Sequence, residues 1–543
     1  MPDFPDRKNA NPKPLSPRRA LLVASGDLRQ ERNRITWPAQ AEMEARLGQA
    51  FEAEGTFIQR AHPYDPGLGH GYIYSQRMGM DVFQTIEPGD PLVVAVAVWQ
   101  YSHHLLAGLR DHQGPILTVA NWSGRWPGLV GLLNLNACLV KIGKPFSTIW
   151  SEDFQDPYFL QGIRQWLQTG KLEHDTSHVR PLDLEELPEA ERRLGEFLAG
   201  ELKKSKAILG VFDEGCMGMY NAIIEDELLN PLGIYKERLS QSALLAEMGR
   251  VDDREAEAVR SWLEKRGMRF ITGTDPQAEL TSGQIHAQCK MYIAAMRMAA
   301  EFGCDAIGIQ YQQGLKDMAP ASDLAEGLFN NPYRPPVYHR VTGEELYPGR
   351  ALPHFNEVDE GAAVDLLVNQ RVWTALGLDP SSTVHDIRWG EAYRDEFVWV
   401  FMISGAVPAS HLNGGYPGAR SERQPSAGFP MGGGTLSGVC RPGEIVWSRV
   451  FIEENKLQAD LGRGHVAELP KTETERRLQA TTPQWPIMHA VLHGVSRDQM
   501  MARHRANHVV VTYAPTAELA DRALAAKAAM LAESGISVYL CGV

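Results

Sequence analysis

Residues 353–390, PHFNEVDEGAAVDLLVNQRVWTALGLDPSSTVHDIRWG, separate two textures of sequence. Within the stretch, Ala363, Leu366, Leu367 and Trp373 recur at near-helical spacing, which predicts a helix over residues 361–376. The polar cluster Asn356-Glu357-Val358-Asp359-Glu360 precedes that helix and puts Glu357 at or just before its N-terminus. A turn at Leu378-Asp379-Pro380-Ser381 follows, and the residues around Asp386 read as a short extended segment. One acid at a helix start and one in a strand can converge from separate elements, an arrangement suited to general acid–base chemistry or to a hard divalent cation. Each acid also has a plainer reading, Glu357 as a helix cap and Asp386 as the partner of Arg388.

Upstream, strands alternate with helices. Residues 20–24, 91–99, 116–120 and 146–150 are buried-strand candidates, with a helix predicted over 129–142. A second alternating unit starts at 207–212 and continues through 270–271 to 306–310. Such alternation predicts parallel sheets flanked by helices, with functional loops at the C-terminal ends of the strands. By that rule Asp27, Arg29, Trp99, Gln100, Asn121 and Trp122 share one rim, and Asp213, Glu214, Gln310 and Gln312 share another. Arg29 and Trp99 are therefore candidate substrate contacts, a guanidinium for hydroxyls and an aromatic face for a sugar ring. The alternative is a solvated charge and a core tryptophan. Downstream, residues 396–405 and 443–451 are β-rich runs between glycine- and proline-rich loops, the pattern of antiparallel or barrel-like strands.

The expected fold is therefore α/β, with two Rossmann-like parallel α/β/α domains and a C-terminal, mainly antiparallel β-barrel-like domain. The expected boundaries are a flexible arm over 1–19, a first α/β domain over 20–200 and a second over 201–372, which carries Glu357. The β-rich domain covers 373–543, and charged residues 182–204 form a connector.

Composition narrows the function classes. The chain has 543 residues, a net charge of −13, 43% hydrophobic and 22% charged residues, enough for a substantial core in several domains. The acidic balance argues against nucleic acid, which needs basic patches. Six cysteines without a CxxC pair point to a reduced, cytoplasmic protein. No apolar run reaches the roughly 20 residues of a membrane helix, and the first residues lack the apolar region of a signal peptide. The glycines at 67–71 and 432–434 lack the strand, lysine and helix of a phosphate loop. Lys290 and Lys316 have ordinary surroundings, with no sign of Schiff-base chemistry.

A third candidate lies near the C-terminus. Residues 500–508, MMARHRANH, run into the β-branched VVVTY, placing Asn507-His508 at an element junction. His504 and His508, four apart, would share a face of one helix, with His504 read as structural. Glu357, Asp386 and His508 together compose a mixed oxygen and nitrogen donor set for Mn²⁺ or a similar ion.

Glu357 in NEVDEGA, Asp386 in DIRW and His508 in ANH resemble, in order, context and spacing, the metal ligands of the L-fucose isomerase family, which includes D-arabinose isomerases. The resemblance is collinear from about Leu21 to Tyr513. It takes in Trp99 in VAVWQYS, the NWSGRWPG segment at 121–128 with KPFS at 144–147, residues 208–219, and IQYQ at 309–312. It implies a metal-dependent aldose–ketose isomerase working through an enediolate of an open-chain sugar, with Mn²⁺ or another divalent cation such as Mg²⁺ or Co²⁺. Glu357 and Asp386 would be the acid–base pair, and Gln312 and Ser404 further substrate contacts. It also implies a homo-oligomer of the hexameric kind the family tends to form, in which the first domain completes a neighbouring subunit's site. His489 stands where the family has a second aromatic, and the loop 413–434 differs, so the sugar is left open. An epimerase on the same metal site and a non-catalytic sugar-binding or regulatory protein are the alternatives.

Overall fold

The apolar runs of the first third build one parallel sheet. Its strands are β1 (Arg19–Val23), β2 (Phe57–Arg60), β3 (Leu92–Val96), β4 (Ile116–Asn121) and β5 (Ser147–Ser151), in the order β2-β1-β3-β4-β5. The computed structural model describes residues 19–215, 217–403 and 407–543. Ser404, Cys216 and all but the last residue of the expected N-terminal arm lie outside them. Strand β2 escaped the sequence reading because it is an edge strand with alternate residues outward, and Phe57 is 61% exposed. The Gly128–Lys141 helix is buried along its whole length. It packs on β3 and β4 on one side and on barrel strands on the other, which is why its sequence is apolar all round.

The second parallel unit is smaller than expected. After the short β6 (Val179–Pro181) come β7 (Ala207–Phe212) and β8 (Ile234–Leu239), then β9 (Arg269–Phe270) and β10 (Ala306–Ile309). Only β10, β7 and β8 form the sheet, in that order and all parallel. The 270–271 run expected there pairs instead with β13 (Arg420–Ser421) outside the sheet. Strand β8, IYKERL, takes its edge place, with polar residues between buried ends.

The last third is a closed antiparallel barrel. Besides β13 it contributes β11 (Ser382–Tyr393), β12 (Glu396–Met402), β14 (Gly443–Glu453), β15 (Lys456–Val466), β16 (Ile487–Leu492), β17 (His508–Ala514) and β18 (Ser537–Cys541). Six strands run β14-β17-β11-β12-β16-β15, and β15 returns to β14 to close the ring. Strand β15 pairs with β16 only over Gly464–Val466, and the remainder of that edge is taken by β18, which in turn holds β6. Closure removes the free edges that a six-stranded sheet would otherwise expose.

Two expected boundaries fall inside helices. The cut after residue 200 divides the Glu189–Ser205 helix, and the cut after 372 divides the Glu360–Ala375 helix. The charged segment 182–204 is not a free connector: its helix packs along the Ala517–Ser534 helix of the C-terminal region. Gly195 permits this, since a Cβ there would meet Ala529 Cβ at 2.4 Å. Cys138, Cys289, Cys304, Cys440 and Cys541 are buried free thiols. Among the described residues, no helix is long and apolar enough to cross a membrane.

Candidate functional site

Barrel register begins the assembly. In the β11–β17 ladder Asp386 lies directly opposite His508, and cross-strand neighbours meet side by side. Asp386 Oδ1 is 3.5 Å from His508 Nε2. Glu357 arrives from the 3₁₀ turn Asn356–Val358, which follows a bridge to β10 and leads into the Glu360–Ala375 helix. Glu357 has φ 54° and Val358 φ 55°. Left-handed backbone at two successive non-glycine residues costs on the order of 1–3 kcal/mol each and persists only where the surroundings enforce it. Here the brace includes a 2.5 Å bond from Asn356 Nδ2 to the buried Glu326 carboxylate. The turn brings Glu357 Oε2 to 3.8 Å from His508 Nε2.

Asp359 orients the histidine. Its carboxylate caps the helix by accepting from Ala362 N at 3.1 Å and takes two bonds from Arg449, at 2.6 and 2.9 Å. His508 Nδ1 lies 2.7 Å from the same carboxylate. An acceptor on Nδ1 directs Nε2 toward Glu357 and Asp386. The plainer readings of the two acids give way to this arrangement. Asp359, not Glu357, is the helix cap, and Arg388 bonds the carbonyls of Gly124 and Arg125 rather than Asp386. His504 and His508 do not share a helix face: His504 ends the Arg497–Arg503 helix in extended backbone, and its ring bonds the His508 carbonyl at 2.9 Å.

The electrostatics call for positive charge at this point. Burial raises the Glu357 carboxyl to about 7, with Asp386 adding to the rise and His508 opposing it. Burial likewise raises Asp386. Burial alone would lower His508, but its bond to Asp359 and the two acids carry it above the ordinary range. Burial would raise Asp359, yet Arg449 and His508 hold it well below the usual carboxylate range. Two carboxylates and an oriented imidazole are chemically suited to Mn²⁺ and similar ions. Among the described residues, no three such side chains form a ready-made metal cage, and both acids stand beyond bonding distance of Nε2.

Glu357 and Asp386 open onto a cavity that Arg29, Trp99 and Gln312 also line. Five sequence candidates thus meet at one place, while His508 sits behind the acids at 1% exposure. Arg29 is clamped by Asp27 at 2.8 and 2.5 Å and donates to Gln312 Oε1 at 2.7 Å, joining the rims of the two parallel sheets. The buried Trp99 Nε1 has no hydrogen-bond partner among the described residues and so offers a donor at the wall. Arg29 and Trp99 follow strands of the first sheet and Gln312 follows β10, so both parallel sheets contribute to the cavity wall.

The remaining wall was not read from the sequence. Arg32, Arg125, Trp126, Arg388 and Trp485 line it, as do Pro425, Gly428 and Phe429 from the departing loop 413–434. Arg388 was legible in principle, two residues from Asp386 on one strand. Trp485 supplies an aromatic wall, whereas His489 is buried in β16 opposite Val400. The backbone amides of Gly433 and Gly434 are taken by Gln284 and Gln288, which leaves no phosphate loop there. Lys290 and Lys316 pair with Asp253 and Asp317. No protein-family model matches the chain, and no curated protein matches it.

Proposed function

We propose that this protein is a metal-dependent aldose–ketose isomerase, and that its five- and three-stranded parallel sheets are a pair of Rossmann-like units framing the site. The observation that carries the reading is the convergence of Glu357, Asp386 and the oriented His508 Nε2 at a cavity walled by Trp99, Arg29 and Gln312.

Glu357, Asp386 and His508 would hold the ion. A bound divalent cation would supply Lewis-acid polarisation of adjacent sugar oxygens. Isomerisation removes a proton from C2, next to the C1 aldehyde, and returns one to C1, while the O2 proton passes to O1. Glu357 and Asp386, the two carboxylates at the cavity, are the groups that would carry this transfer. Arg29, fixed by Asp27, and Gln312 present polar groups to sugar hydroxyls, while Trp99 and Trp485 offer flat faces to its C–H surface.

The test is an isomerase assay on EDTA-stripped protein, with and without Mn²⁺, over a panel of neutral and acidic aldoses, with Glu357→Gln in parallel. Ketose formation that requires the metal and falls at least 100-fold in the variant is expected. Protein that binds no Mn²⁺ would sink the reading.

A further inference from the structure

Four guanidiniums, those of Arg29, Arg32, Arg125 and Arg388, line the cavity beside Glu357 and Asp386, in a chain whose net charge is −13. Their bonding is unequal. Arg29 is neutralised by Asp27. Arg388 is only 3% exposed and makes no ion pair among the described residues, with Asp386 two residues away on its strand: Nε donates to Gly124 O at 2.9 Å and Nη2 to Arg125 O at 3.0 Å. Arg32 is half-buried, and its guanidinium forms no hydrogen bond or ion pair among the described residues. Arg125 is exposed and lies over the Trp126 ring at 5.4 Å.

Three cations thus share one cavity with Glu357 and Asp386 but make no ion pair among the described residues. Burial and the Arg29 charge pull Arg32 down, with Asp27 opposing. Like charges gathered in a partly dehydrated cavity cost free energy that an anionic ligand returns. The backbone also favours this arrangement. The register of β11 on β12 steps from Ile387↔Phe401 to Trp389↔Val400, a bulge that leaves Arg388 without a cross-strand partner. Bulges beside sites re-aim side chains. A neutral polyol can hydrogen-bond one guanidinium but neutralises none, whereas a planar fork pairs with an oxyanion at two points.

We infer that the substrate is an acidic sugar, bearing a phosphate, carboxylate or sulfonate that Arg32 and Arg388 bind, with Arg125 at the rim. The inference rests on the isomerase reading for the sugar itself, while the oxyanion site stands on the arginines alone.

The test is titration calorimetry on the full chain with metal removed. Inorganic phosphate serves as a probe free of sugar stereochemistry. Matched pairs follow: D-arabinose against its 5-phosphate, D-glucose against D-glucuronate, and D-glucose against its 6-deoxy-6-sulfonate. At least one acidic sugar is expected to bind at least tenfold tighter than its neutral partner, and the preferred pair identifies the anion. Arg32→Met should abolish the preference and Arg32→Lys restore part of it. Arg32 decides the matter because its guanidinium makes no hydrogen bond or ion pair among the described residues, so the expected unfolding midpoint of the variant is that of the parent. Phosphate that fails to bind and pairs that agree within twofold would overturn the inference, as would a preference that survives in Arg32→Met. Mn²⁺-dependent turnover of neutral aldoses without preference would overturn it and leave the isomerase standing. Anion-selective binding with no turnover of any aldose would support the oxyanion site and overturn the isomerase.

Discussion

Asp359 lines no part of the cavity, yet it holds the histidine that does the aiming. It caps a helix, neutralises Arg449 and receives His508 Nδ1 with one carboxylate. Carboxylate support of a ligating imidazole typically contributes 10–100-fold in metal affinity. Asp359→Asn, which keeps the shape and removes the charge, should weaken Mn²⁺ binding by about that factor. Calorimetry on EDTA-stripped protein measures it, with circular dichroism to check folding. Equal affinity in the two proteins would show that His508 needs no such partner. Arg449 tests the same contact from the other side. Its guanidinium and Asp359 are 1% and 0% exposed, and removing one partner of a buried pair costs about 3–5 kcal/mol. Arg449→Met should therefore lower the denaturation midpoint sharply, whereas a loss below about 1 kcal/mol would mean water reaches the pair.

At the scale of elements, the site depends on three connections of different strength. The β11–β17 ladder is regular from Ser382↔Thr512 to Asp386↔His508, so the Asp–His pair is as rigid as the barrel. The Asn356–Val358 turn is strained and held by its neighbours. The contact between the Glu189–Ser205 and Ala517–Ser534 helices clamps β6 and β18 against the barrel edge. Gly195→Val would drive a side chain into Ala529 and the backbone of Met530, an overpacking that costs about 1–3 kcal/mol. Faster hydrogen exchange in β18, with the β11–β17 ladder unchanged, is the expected signature. Uniform acceleration through the barrel would show that the clamp and the site unfold as one unit.

For the molecule as a whole, buried histidines set the acid limit of stability. Burial holds His62 and His354 down to about 3, and His104, His411 and His489 down to about 4. Each is neutral in the fold at pH values where the unfolded chain, with imidazoles near 6.5, takes up protons. The unfolded state thus binds more protons between about pH 4 and 6.5, so stability is full above 6.5 and is lost as pH falls through that window. Each such group contributes up to about 1.4 kcal/mol per pH unit. Glu326, raised by burial to about 8, and Glu360, raised by burial to about 7, keep protons in the fold over the same range and offset part of this loss. Imidazole NMR on the folded protein should find these rings still neutral at about pH 5, and rings that titrate near 6.5 would remove the histidine contribution.

Local pattern is enough to define some elements from the amino acids alone: the apolar strands of the first sheet, the helix after Glu357, and the junction that ends at His508. Burial on both faces forces continuous apolar runs in central parallel strands, and such runs are legible. Edge strands carry no such signal, which is why β2 and β8 went unread and residues 270–271 were assigned to the wrong sheet. The acids and the histidine were legible as residue types at junctions, because chemistry-bearing side chains gather at the ends of elements. Their convergence was implied by the family resemblance and not by local pattern, since it depends on barrel register and on one left-handed turn. Arg32, Arg125, Arg388, Asp359 and Trp485 were ordinary polar or aromatic residues until distant segments folded against one another. Only tertiary structure brings charges from residues 32, 125 and 388 to one cavity, because electrostatic coupling depends on separation in space and on exclusion of water, neither of which a linear chain records.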